Sequence, residues 1–151
     1  MRLTLLLAVL LLAGCAGVQE RWAEATFTDI SYPALYGVLL TTIDAEGFVV
    51  RDRNAQTAEI HSEWVYGTSQ SVVRGPSRRR VHAAIELLDD DALHVRLRVE
   101  ENVVRKGGML ATNVRESENW EPFEDNFDDA ERIMARLSVL LDLNRARAPE
   151  P

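Results

Sequence analysis

The sequence predicts an α+β fold, a two-layer sandwich in which a four-stranded antiparallel sheet is covered by an N-terminal and a C-terminal helix (α-β-β-β-β-α). Three observations predict it. Between Phe48 and Val99 apolar side chains recur at every second position, the period of half-buried strands. Two of those runs fold back on each other with apolar opposite apolar and charge opposite charge. The segments on either side carry apolar residues at three- and four-residue spacing, as helices that bury one stripe do. A sheet with one apolar face must cover it, and two amphipathic helices are available to do so.

The first helix is expected from Tyr32 to Ala45. Ser31 stands at the cap position, Pro33 suits the first turn, and Gly47 lies just past the end, where a left-handed residue is easiest. Leu35, Leu39 and Thr42, with Tyr36, Leu40 and Ile43 beside them, form a broad apolar stripe.

The period then switches to two. Phe48 and Val50 point one way, Val49 and Arg51 the other. After a turn at Asn54-Ala55-Gln56, Ile60 and Trp64 share a face, with Glu59, His61 and Glu63 opposite. A hairpin centred on Ala55 sets Val50 opposite Ile60 and Arg51 opposite Glu59. The next pair is clearer. A hairpin centred on Asp90 places Leu87 by Leu93, Ile85 by Val95 and Val81 by Val99 on one face. On the other it places Glu86 by His94, His82 by Arg98 and Arg80 by Glu100, the alternation of an antiparallel sheet with one solvated face.

Gly107-Gly108 breaks the fourth strand, and Lys106 to Trp120 is expected to be an irregular connection. A last helix is predicted from Pro122 or Glu124 to Leu143, burying Phe127, Ala130, Met134, Leu137 and Leu141 with Ile133 and Leu140 at their flanks. Acidic residues Glu121, Glu124, Asp125, Asp128 and Asp129 crowd its start and Arg145 and Arg147 lie past its end, complementing the helix dipole.

The N-terminus has the three parts of an export signal. Arg2 is a short positive region, Leu3 to Leu12 is apolar apart from Thr4, and Ala13-Gly14 offers small residues for cleavage. The apolar run falls short of the roughly 20 residues that span a bilayer. Leu12-Ala13-Gly14-Cys15 resembles the lipobox of bacterial lipoproteins. The resemblance implies lipidation of Cys15, with diacylglycerol (palmitate among its acyl chains) on the thiol. Ala16 follows where members retained in the inner membrane often carry Asp, which implies the outer membrane, periplasmic side. Cys15 is also the only cysteine, so an internal disulfide is excluded. The expected organisation is a signal peptide at 1–14, a lipidated cysteine and tether at 15–26, one domain at 27–145 and a flexible tail at 146–151.

Cleavage before Cys15 leaves about 137 residues, enough for one domain. It removes only Arg2 among the charges, so 16 basic and 24 acidic residues remain, a net charge of −8. That balance argues against nucleic acid as a partner.

Chemistry is sparse. His61, His82 and His94 all fall on the predicted solvated face without ligand spacing, so no metal is expected. No serine lies in a nucleophile elbow, and Asp89-Asp90-Asp91 reads as a tight acidic turn rather than a calcium loop. The sequence predicts no catalytic residues, no cofactor and no enzyme. The unusual segment is Gly67 to Arg80, which places Arg74, Arg78, Arg79 and Arg80 in an acidic protein. It reads either as a basic loop for anionic headgroups, lipopolysaccharide phosphates or an acidic partner, or as a solvated hairpin loop. Trp22 and Trp120 lie outside the periodic elements and suit a partner anchor; Trp120 alternatively staples the last helix.

From the first helix into the first hairpin the chain reads Leu39-Leu40-x-x-Ile43-x-x-x-Gly47-Phe48-x-Val50-x-Asp52-Arg53-Asn54, then Thr57 to Trp64. This resembles a helix-grip module of BamC-type outer-membrane lipoproteins, accessory subunits of the machinery that inserts β-barrels. The resemblance implies the fold and a non-enzymatic, interaction-type character. The expectation is therefore a lipid-anchored accessory domain of a cell-envelope complex, bound to the membrane through Cys15 and to an envelope protein partner. The alternative is a small-ligand or lipid binder using a groove between helices and sheet.

Overall fold

The computed structural model describes residues 20–54, 58–68, 76–88, 91–104 and 120–147, with side chains at all of these but 53, 68 and 145–147. Their order is β1 (Ala23–Phe27), α1 (Tyr32–Ala45), β2 (Val50–Asn54), β3 (Glu59–Ser62), β4 (Val65–Thr68), β5 (Pro76–Leu87), β6 (Leu93–Val104), β7 (Trp120–Pro122) and α2 (Phe127–Arg147). The fold is α+β, two helices with a large antiparallel sheet. Among the described residues the sheet has seven strands where four were expected.

The strand order is β1-β6-β5-β3-β2. β4 also pairs with β5, prolonging the line of β3, and β7 pairs with β6 beyond the end of β1. The additional strands have physical reasons. β1 lies in the segment expected to be tether: Ala-Glu-Ala-Thr-Phe has little strand propensity of its own and is held by pairing from Ala23↔Leu97 to Phe27↔Leu93. β7 is three residues long, too short to show a period.

The central hairpin has the expected register throughout, from Leu87↔Leu93 to Arg80↔Glu100, and continues to Ser77↔Val103. Asp91 turns it at φ 59°, a conformation that Asp tolerates better than most residues. The first hairpin is displaced. Arg53 rather than Val50 faces Ile60, and Asn54 rather than Arg51 faces Glu59, so the strand runs through the expected turn; residues 55–57 lie outside the described set. With polar residues on both sides, little favours one register over another.

α1 spans the expected residues. Its Ser31 occupies the N-cap backbone position without a side-chain cap bond. At its other end Gly47 (φ 84°) donates to Asp44 O and Phe48 donates to Ile43 O, a Schellman ending. α2 starts later than expected because Asn126 caps it, with Oδ1 accepting from the Asp129 N–H at 3.1 Å. It continues to Arg147, so Arg145 and Arg147 lie within the helix. Among the described residues no helix is long and apolar enough to cross a membrane.

Both helices pack on one face of the sheet. Leu35, Leu39 and Ile43 from α1 and Ala130, Ile133 and Leu137 from α2 meet Ile60, Val81, Val95, Leu97 and Val99, all fully buried. Arg132 and Arg136 bind Glu46 across the helix pair. Among the described residues the other face of the sheet carries no helix, and it is where the polar and aromatic residues collect.

Candidate interaction surface

Alternation sends Arg78, Arg80, His82 and Glu86 of β5 to the helix-free face, with their cross-strand partners Asn102, Glu100, Arg98 and His94 of β6. On β3 and β4 the alternation is interrupted. His61 pairs with His82, but Val65 pairs with Arg79 and Tyr66 with Arg78, so one extra residue is accommodated at Ser62-Glu63. Such a bulge reverses which side chains face the core. Ile60 and Val65 pack inward, whereas Trp64, expected beside Ile60, crosses to the helix-free face together with Tyr66.

The result is a lattice of guanidinium and indole groups. Arg78 Cζ lies 4.2 Å from the Trp64 ring centre and 4.7 Å from that of Trp120, and Arg80 Cζ lies 4.5 Å from Trp64. Tyr66 meets Trp120 edge-on at 5.9 Å. Farther along, Arg96 and Arg98 lie 5.1 and 5.4 Å from Trp22. All three tryptophans of the chain therefore stack against arginines of this one face.

Glu100 organises the centre. It accepts from Arg80 Nε at 2.7 Å and pairs with His82 Nε2 at 2.9 Å, while His82 Nδ1 meets His61 Nδ1 at 2.9 Å. Since two imidazole nitrogens at that distance share one hydrogen, one ring donates and the other accepts. Burial raises the Glu100 carboxyl pKa, but hydrogen bonds from His82 and Arg80 and the attraction of both lower it further, to about 2. Beside this chain lies an open groove of about 560 Å³, lined by Asp52, His61, Glu63, Trp64, Arg80 and other residues. Among the described residues no group of three or more His, Cys, Asp or Glu side chains is placed to hold a metal.

Of the residues singled out in the sequence, Arg78, Arg80 and Trp120 come together here. Arg79 does not. It points to the helix side and pairs with Asp129 in the first turn of α2. Residues 76–80 are strand rather than loop, because β4 pairs with 76–79 and β6 with 77–80. Cys15 and Arg74 lie outside the described residues. Trp64 and Tyr66 escaped sequence reasoning; the adjacent apolar pair Trp64-Val65, which breaks the alternation, is the trace the bulge leaves. In comparison with known proteins, no family model and no curated sequence matches the chain.

Proposed function

We propose that this chain is a lipid-anchored, periplasm-facing, non-enzymatic lipoprotein of the outer membrane, an accessory domain that presents its helix-free sheet face to another component of the cell envelope. The observation that carries the reading is the convergence of Trp22, Trp64 and Trp120 with Arg78, Arg80, Arg96 and Arg98 on the face that α1 and α2 leave open. Tryptophan and arginine are the residues that dominate contact energies at interfaces, because each combines a large desolvated surface with directional donors. The lipobox-like Leu12 to Cys15 supports the anchor, and the helix-sheet core with its two covering helices is compatible with the resemblance to BamC-type modules.

The alternative, a small-ligand or lipid binder, changes its location. Leu35, Leu39, Ile43, Ile133 and Leu137 fill the layer between helices and sheet, so a ligand would use the groove beside His61 and Trp64 instead.

Photocrosslinking in intact cells separates these readings. A photoreactive residue at Tyr66 or Glu86, on the sheet face, is expected to trap an envelope component, while one at Glu131 or Val139 on α2 traps none. Repeated recovery of no adduct from the sheet face contradicts the interaction reading, and co-purification of a small molecule with the domain favours the alternative.

A further inference from the structure

Two features of the face bear on what it meets: the point from which the tether leaves, and an arginine of β5 that pairs with no carboxylate among the described residues. Glu20, where the described chain begins, pairs with Arg98, and Trp22 stacks on Arg96 and Arg98. The chain therefore enters the domain across the helix-free face. From Cys15 to Glu20 is five residue steps, which span at most about 18 Å even when fully extended. A lipid on Cys15 thus keeps the bilayer within that distance of the sheet face.

Of the five arginines on β5 and β6, Arg79, Arg80, Arg96 and Arg98 each pair with a carboxylate. Arg78 pairs with none among the described residues. Its Nη2 reaches only the Asn102 amide oxygen, at 3.3 Å, when that amide is turned so that its nitrogen donates to the Glu101 carbonyl. Arg78 Nε and the neighbouring Trp120 Nε1 are buried and find no acceptor among the described residues. The cluster holds surplus donors and an uncompensated positive charge in an acidic protein, with two indoles fixing the guanidinium plane. Strand rise puts Asn102, the cross-strand partner of Arg78, about 13 Å along β6 from Arg98, well within reach of the same surface.

We propose that the helix-free face lies on the headgroups of the leaflet that holds the chain's own lipid, and that Arg78, between Trp64 and Trp120, binds a lipid phosphate there. Indole rings favour the boundary between headgroups and acyl chains, and a planar guanidinium matches phosphate oxygens two at a time. This rests on the anchored reading above and names the partner of its contact face. Glu20, Glu86 and Glu100 pair with Arg98, Arg96 and Arg80, so the attraction is concentrated at the Arg78 end rather than spread over the sheet.

The test uses the full acylated chain in nanodiscs whose lipids carry bromine high on the acyl chain, a contact quencher of tryptophan fluorescence. With phosphatidylglycerol present, quenching is expected; with phosphatidylcholine alone it is largely lost, and raising the salt reduces it because exposed charge contacts are screened. Arg78→Ala, checked for folding by circular dichroism, loses most of the quenching, and Arg78→Lys retains only part. The lipid comparison in the unmodified chain carries the test even where Arg78→Ala unfolds. Incorporation into discs with no quenching in either lipid, or with equal quenching in both, overturns this proposal alone. Failure to incorporate because Cys15 bears no lipid overturns the anchored reading and this proposal with it. Crosslinks from the sheet face to a protein, without quenching, place a protein where the headgroups are proposed.

Discussion

Glu100 holds more of the polar order of the sheet face than any neighbour, because Arg80, His82 and, at 3.8 Å, Arg98 all turn to it. Removing its charge leaves Arg80, on a half-buried surface, without its carboxylate partner. Glu100→Gln is expected to destabilise the fold by about 2 kcal/mol at neutral pH, the scale of hydrogen bonds to charged groups, as read by urea denaturation. The pH dependence has a definite sign. A carboxyl whose pKa falls from 4.5 to about 2 on folding contributes stability that is complete well above 4.5 and is lost as pH falls toward 2. Glu46 acts in the same direction: its pKa is lowered chiefly by the hydrogen bond from Arg136, against desolvation, with Arg132 adding to the effect. The difference between the native chain and Glu100→Gln should therefore shrink steadily below pH 4.5; a difference unchanged down to pH 2 contradicts the assigned role.

At the scale of elements, what the sequence discloses follows from how locally each element is determined. α1 is legible to the residue because Pro33 opens it and Gly47 closes it, both through backbone preferences that are strong and local. The central hairpin is legible because three apolar pairs and three polar or charged pairs agree on one register. The first hairpin is not, since Val-Arg-Asp-Arg-Asn against Glu-Ile-His-Ser offers one apolar residue on each strand, and the two do not face each other. β1 and β7 depend on distant β6 for their existence, and no local pattern announces that. The same contrast governs the surface. That Arg78 and Arg80 share a face follows from alternation, as does the departure of Arg79, but Trp64 joins them through a bulge. For α2, Asn126 both caps the helix and donates to Glu101 at 3.3 Å. Asn126→Ala is expected to cost about 1 kcal/mol by thermal or urea denaturation, and no measurable loss would show that the cap is dispensable.

For the whole molecule, the division of labour between the two sheet faces is the central feature. One face is closed by α1 and α2 over fully buried leucine, isoleucine and valine side chains, which gives the stability that a chain with one cysteine must find without an internal disulfide. The other face keeps three tryptophans partly exposed and spends arginine side chains on holding them flat. Indoles ordered in this way lose little conformational freedom on contact, a property that favours tight recognition. The measurement that tests this most directly is oxidative footprinting of Trp22, Trp64 and Trp120 in intact envelopes and in detergent solution, with exposed Leu143 on α2 as the internal reference. The account predicts that the tryptophans are protected in the envelope and oxidised in detergent, while Leu143 reacts alike in both. Equal oxidation of the three tryptophans in both settings would contradict it.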